Sequence, residues 1–369
     1  MNNSRHSQKF VYWCRTTMDH KKELEDLIDT VIREGASDLH LTVNREPAIR
    51  VSSFLIPLAK KSILTAVDTL AFISEMLSKE ELKRFMEEKE IDFSYSFKSV
   101  RFRGNGYFQQ GSAAVALRVI TKKIRTLSEL NLPPILETFT KKEQGFFLVV
   151  GPVGHGKTTT LAALVDLINS ERAEHIITIE DPIEYVFEAK KSIIDQREVR
   201  TDTHDFQTGL INVFRQDVDV VMIGEMRGAE TMSTAVTAAE TGHFILSTLH
   251  TNNAAQTIDR ILDTFPPTQQ DQVRTQLAGS LTGIFSQRLI PRISGGLIPA
   301  YELLIANSAV SNLIRERRTH EINTVIETGL EQGMVDMNRS LAELVRMGEI
   351  TPEYAYSYSF NPKGLSKMI

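Results

Sequence analysis

FFLVVGPVGHGKTTTLAALVDLI, residues 146–168, decides the fold. Phe146 to Val150 is an apolar run the length of a buried strand. GPVGHGKT, 151–158, then fits the spacing G-x-x-x-x-G-K-[ST]. Leu161, Leu164, Val165 and Ile168 recur three and four apart, which predicts a helix from Thr159 to Ile168. A strand, a glycine loop and a helix in this order cradle phosphates. Gly151, Gly154 and Gly156 let the backbone turn its N–H groups inward, with Pro152, Val153 and His155 between them. Lys157 brings a compact positive charge to the β/γ-phosphates, and the Thr158 hydroxyl is the expected ligand of Mg2+. The helix behind, opened by Thr159, adds its positive end. The expected ligand is ATP with Mg2+.

Beyond this helix, short apolar runs alternate with helical stretches, the sign of a mostly parallel sheet wrapped by helices. VVMI, 220–223, leads to Gly224 and then Glu225. Ligands of open α/β sheets sit at the carboxyl ends of strands, so Glu225 is expected beside the metal and the γ-phosphate. The run at 176–179 ends in EDPIE, 180–184, whose carboxylates can orient a water or hold a hydrated metal. His243 and His250 bracket the run FILSTL, 244–249. Strand rise separates them by more than roughly 20 Å, which argues against one metal site. His250, at the carboxyl end, suits a γ-phosphate sensor, whereas His243 reads as structural.

The first third has a different pattern. Leu24, Leu27, Ile28, Val31 and Ile32 mark one apolar face of a helix that Gly35 stops, and LHL, 39–41, alternates as a strand. Residues 68–86 read as helical, 91–97 and 100–110 as a strand pair, and 114–120 as a third strand. This is a small α+β domain over 18–120, followed by a linker at 121–134 carrying Pro133 and Pro134. The phosphate-loop domain then spans 135–369. Residues 1–17 are polar and aperiodic, and Met18 is one candidate for the native start, with 1–17 an upstream leader. Arg101 and Arg103 share a strand face, with Arg118 on the following strand. They form either a solvated basic face or arginine fingers reaching a phosphate in another subunit, worth ~10³–10⁵ in rate.

Composition narrows the function. The chain has 369 residues, 41% of them hydrophobic, which suits two or three packed domains and excludes disorder as the main state. One cysteine, Cys14, allows neither an internal disulfide nor a Cys₄ zinc site, and a reducing cytoplasm is the expected compartment. A net charge of −5 does not suggest a basic nucleic-acid binder. No apolar run reaches the roughly 20 residues of a membrane span, so work at a membrane is expected to go through a partner.

Taken together, GASDLHL (35–41), RFRGNGYFQ (101–109), GPVGHGKTTTLAAL (151–164), TIEDPIEYV (178–186), VDVVMIGEMR (218–227), TAAETGHFILSTLHTNNAAQTIDRI (237–261) and SNLIRE (311–316) resemble the PilT family of type IV pilus retraction, or twitching motility, ATPases. The resemblance runs from about Met18 to the C-terminus. It implies an α/β architecture in which a smaller PAS-like α+β domain precedes a RecA-like P-loop ATPase domain. It further implies a cytoplasmic homo-hexameric ring, docked at the inner face of the cytoplasmic membrane on a platform protein of the pilus machinery. Nucleotide would bind between the two domains. By motif, Lys157 and Thr158 are the Walker A pair and Glu225 the Walker B acid. Glu184 is the candidate water-activating acid, His243 and His250 the His box, and Arg260 follows it. Arg103 and Arg118 are the finger candidates.

Related extension and type II secretion ATPases usually carry a Cys₄ zinc insertion, whose absence here favours the retraction branch. The sequence also departs from the family pattern. His155 stands where a small Ser is usual, and Ser311 stands in AVSNLIRE, 309–316, where Arg is expected. Gln216, Val218 and Gly228 replace family acids or proline around Glu225. Another secretion or pilus-assembly ATPase, an accessory paralogue and a RecA-like nucleic-acid motor are the rival readings.

Overall fold

The computed structural model describes residues 18–51, 54–98, 100–120, 123–226 and 228–369. The expected leader, with Cys14, lies outside them. The chain divides into two compact units, Met1–Ile120 and Thr121–Ile369.

In the first unit, α1 (His20–Arg33) is capped by Asp19, whose side chain accepts from the Lys22 N–H. Leu24, Leu27, Ile28 and Val31 are fully buried, each worth about 1.5–3 kcal/mol. Ile32 falls off this face and is 42% exposed. The helical stretch expected at 68–86 is two helices, α2 (Ala66–Met76) and α3 (Lys79–Glu88). Ser78 breaks it, because its hydroxyl and the Glu81 carboxylate form a capping box that starts a new helix. The strands are β1 (Asp38–Leu41), β2 (Ala48–Val51), β3 (Phe54–Pro57), β4 (Glu90–Phe97), β5 (Val100–Gln109) and β6 (Ser112–Ile120). They pair antiparallel in the order β3-β2-β1-β6-β5-β4. Phe72, Phe85 and Phe102 help fill the core between helices and sheet.

In the second unit, β7 (Gly145–Val150), β8 (His175–Glu180), β9 (Ile193–Glu198), β10 (Val220–Ile223), β11 (Phe244–Leu249), β12 (Leu281–Pro291) and β13 (Leu297–Ile305) form a mixed sheet of order β13-β12-β7-β11-β10-β8-β9. Every neighbouring pair is parallel except the β12–β13 hairpin. The helices are α4 (Lys157–Glu171), α5 (Phe206–Val213), α6 (Ala229–Glu240), α7 (Ala254–Asp263), α8 (Pro267–Ser280), α9 (Ser308–Arg315), α10 (Ile322–Thr328), α11 (Met337–Arg346), α12 (Pro352–Tyr358) and α13 (Pro362–Leu365).

Alternation along β7 sends Phe146, Leu148 and Val150 into one layer with residues of α5 to α8. Phe147 and Val149 enter the other layer, with Leu161, Leu164 and Ile168 of α4. Burial on both faces is why the run carries no polar residue. The stretch expected as a linker, 121–134, supplies Leu127 and Leu132 to this second layer. Leu127 and Leu132 are thus buried within the second unit, a packing that the flanking polar residues and prolines conceal in sequence.

Candidate active site

Parallel strands bring their carboxyl ends to one edge of the sheet. Val150 of β7 is level with Leu249 of β11, and Ile223 of β10 with Ser247 of β11 and Ile179 of β8. The loop 151–156, His250, Glu225 and the segment 181–184 therefore leave the sheet side by side, with strands about 4.8 Å apart. Side-chain bonds fix these ends. The Ser247 hydroxyl donates to Ile223 O at 2.8 Å, and the Thr248 hydroxyl to Gly224 O at 2.7 Å.

The glycine loop owes its path to backbone freedom. Gly151 has φ +146°, and a Cβ there would lie 2.3 Å from Gln287 O of β12. Gly156, at φ +80°, is the N-cap of α4, with no side-chain cap. The first-turn N–H groups of a 15-residue helix thus face the loop, with the dipole's positive end behind them.

Lys157 is buried, and its Nζ donates to Pro152 O at 2.9 Å. It also lies 3.1 Å from Nδ1 of His250. An ammonium only donates, so Nδ1 is the acceptor and the imidazole proton sits on Nε2. Nε2 in turn faces Glu225 Oε2 at 3.6 Å. Burial pushes the Lys157 pKa below its ordinary value, opposed by the carboxylates of Glu225 and Glu184. Lys157, His250, Glu225 and Glu184 thus form one electrostatic cluster. Thr158 follows Lys157 in the first turn of α4, and the Thr159 hydroxyl bonds the Tyr185 hydroxyl at 2.8 Å.

Loop 181–184 has its own scaffold. Glu180 is 3% exposed, and its carboxylate accepts from the Thr178 hydroxyl at 2.7 Å, Gln196 Nε2 at 3.2 Å and the Glu184 N–H at 3.3 Å. Burial pushes its pKa up to about 7, although these bonds oppose the rise. Glu198 accepts from the Ile183 N–H at 3.0 Å. Glu198, Gln196 and Gln287 escaped the sequence reading because they lie on β9 and β12, strands with no clean alternation. The one signal was a run of polar residues inside otherwise apolar sheet spacing.

A match to the sequence profile of the family described as "Type II/IV secretion system protein" covers residues 18–345. The type IV pilus retraction ATPase PilT of Pseudomonas aeruginosa is 40% identical over 339 residues, 90% of this chain and 97% of that protein. This chain belongs to the PilT family of secretion ATPases. The twitching motility protein of Neisseria gonorrhoeae is 42% identical over 82% of each chain. A crystal structure of the pilus retraction motor PilT with bound ADP superposes with a TM-score of 0.87, at 43% identity, over 93% of this chain and 98% of that one. The expected architecture, a small α+β domain ahead of a RecA-like ATPase domain, is the one found, and the PilT-family chain is a nucleotide-using ATPase.

Arg260 is exposed near the end of α7, roughly 9 Å of helix beyond its first residue. His243 sits at the far end of β11, its Nδ1 3.2 Å from Ala238 O and its ring edge-on to Phe214, a structural placement. In the first unit, Arg103 of β5 is directly opposite Arg118 of β6, and Asp38 of β1 flanks Arg118 on its other side. Arg118 Nε donates to Asp38 Oδ1 at 2.8 Å while its side chain stays 72% exposed. Burial alone would raise the Asp38 pKa, but bonds from Ser37 and Arg118 hold it below the usual carboxylate range. Of the departures from the family pattern, Ser311 turns inward, its hydroxyl donating to Ala278 O of α8 at 2.7 Å.

Proposed function

We propose that this chain is the ATP-hydrolysing motor of type IV pilus retraction and twitching motility. The contact series from Lys157 through His250 to Glu225, beside the glycine loop, supports the ATP-hydrolysing part of this reading, and the likeness to the PilT of Pseudomonas aeruginosa supports the retraction part.

In this reading, the loop amides of 151–158 and the first turn of α4 hold the phosphates. Lys157 has three N–H donors, of which Pro152 O and His250 engage two, and the third is directed to a phosphate oxygen. The expected Mg2+ site consists of the Thr158 hydroxyl and the Glu225 carboxylate. One hydroxyl and one carboxylate suit Mg2+, which takes its other ligands from phosphates and water, so the residues present fit the ion. When bound, Mg2+ neutralises charge on the β- and γ-phosphates. Water attacks the γ-phosphorus, the bond to the bridging β–γ oxygen breaks, and ADP leaves with that oxygen. Glu184, held by Glu180, accepts the proton of the attacking water. His250 reads the γ-phosphate and carries its state to Glu225 through Nε2. Arg103, Arg118 and Arg260 supply positive charge to the developing transition state, with Arg103 and Arg118 acting on a neighbouring subunit.

The motor works as a homo-hexamer in the cytoplasm, docked on the inner-membrane pilus platform protein. Among the described residues, no helix is long and apolar enough to cross a membrane. An accessory or assembly ATPase is the second reading, favoured by Ser311, which stands where Arg is expected and whose hydroxyl holds α9 to α8. Deletion followed by pilus imaging tests both. Surplus surface pili without twitching is the expected result, and absent pili would instead mark an extension motor.

A further inference from the structure

β7 ends at Val150, level with Ser286 of β12. β12 runs on to Pro291, so from Gln287 onward its side facing β7 has no strand partner there, and the phosphate loop lies against it. His155 occupies the open hydrogen-bonding position. Its Nδ1 accepts the Leu289 N–H at 2.9 Å, and its carbonyl accepts Gln287 Nε2 at 2.9 Å. Gln287 closes the link, its Oε1 accepting the Thr160 hydroxyl of α4 at 2.6 Å.

The same strand holds the segment after His250. The Ser286 hydroxyl donates to Asn252 O at 2.8 Å, and Arg288 Nη2 to Asn252 Oδ1 at 2.9 Å. Glu302 of β13 accepts the Ala254 N–H at 2.8 Å. The C-terminal residues pack outside, with Tyr358 edge-on to His155 at 6.4 Å between centroids and Phe360 against the Arg288 guanidinium at 4.8 Å. β12 is therefore a common support for the phosphate loop and the sensor-histidine segment, and His155 is the loop's own grip on it.

We propose that His155 is a positioning residue for nucleotide, its Nδ1 pinning the phosphate loop to Leu289 so that the amides around Gly154 and Gly156 are held ready for phosphate. This rests on the reading of 151–158 as the nucleotide site. A serine side chain is too short to make this bond, so the loop would need to order itself on binding. The bond requires a neutral imidazole. Burial lowers the His155 pKa, and the charges of Arg288 from β12 and Lys157 from α4 lower it further, while Tyr358 packs from α12. Nδ1 is therefore an acceptor at neutral pH. Acid converts it to a donor facing the Leu289 N–H.

The test is equilibrium binding of a fluorescent ADP analogue to the full chain, with steady-state ATP turnover, for wild type, His155→Ser and His155→Asn. Asn carries an acceptor oxygen close to the position of Nδ1 and does not titrate. One lost hydrogen bond predicts affinity about 3- to 10-fold weaker in His155→Ser, with KM rising more than kcat falls. His155→Asn should recover most of that affinity, and wild type should lose affinity more steeply than His155→Asn between pH 6.5 and 5. Equal affinity in wild type and His155→Ser, or no recovery in His155→Asn, would overturn the tether while leaving the nucleotide site standing. Wild type that bound no nucleotide would overturn the site reading itself, and the tether with it.

Discussion

Lys157 Nζ lies 3.1 Å from His250 Nδ1, although 93 residues separate them in the chain. The contact joins the glycine loop and its helix to the strand end that faces Glu225. Replacing Lys157 with Ala should lower ATP turnover at least ~100-fold, since it removes the charge aimed at the transferring phosphoryl group. His250→Ala should lower kcat ~10- to 100-fold and leave nucleotide affinity nearer wild type. Steady-state kinetics alongside circular dichroism checks both. Wild-type turnover by a folded Lys157→Ala protein would refute the assignment.

Gly151 tests the backbone argument. Its φ of +146° belongs to glycine, and an added Cβ would meet Gln287 O at 2.3 Å. Gly151→Ala should strain the loop by on the order of 1–3 kcal/mol and weaken nucleotide binding at least tenfold. Gly228→Ala is the control, because its Cβ would meet nothing within 4 Å. Comparable losses in both variants would remove the steric explanation.

Glu302 sets a pH dependence of stability. Burial, reinforced by Asp336, pushes its pKa up to about 7 from an ordinary 4.5, against the Ala254 N–H and Arg288. A raised folded-state pKa contributes stability in full below about 4.5, and that contribution is lost as pH rises through about 7. The loss is on the order of 3 kcal/mol. Glu302→Gln keeps an acceptor for α7 and does not titrate. Its melting temperature should therefore fall less than wild type between pH 4.5 and 7.5. Glu180, also near 7, should leave part of the slope in place.

Arg103 and Arg118 face one another across β5 and β6. If they act on a neighbouring subunit, mixing Glu225→Gln with Arg103→Ala protein should restore part of the activity that each lacks alone. Mixed assemblies would contain some sites with both an intact acid and an intact arginine. Mixed assemblies as inactive as the parents would count against action between subunits.

The glycine loop, Glu225 and His250 were legible because each has a local signature: fixed glycine spacing, or an apolar run ending in a polar group. Both domain types and the parallel sheet followed from the same periodicities. Ser78 shows where local reading falls short. A polar residue in a helical stretch is compatible with one helix or two, and the reciprocal bond with Glu81 decides. Leu127 and Leu132, two leucines among polar residues and prolines, carry no period, so their burial is invisible in the sequence.

By itself, the sequence determined which residues could meet phosphate, since backbone freedom at Gly151 and Gly156 and the charge of Lys157 are properties of those residues alone. Only the tertiary structure decided which of them lie together. Parallel register brings His250 and Glu225 to one edge, Glu180 and Glu198 shape the loop that carries Glu184, and β12 receives His155. Those partners come from distant strands, and a hydrogen bond across a sheet depends on register, which no local pattern records.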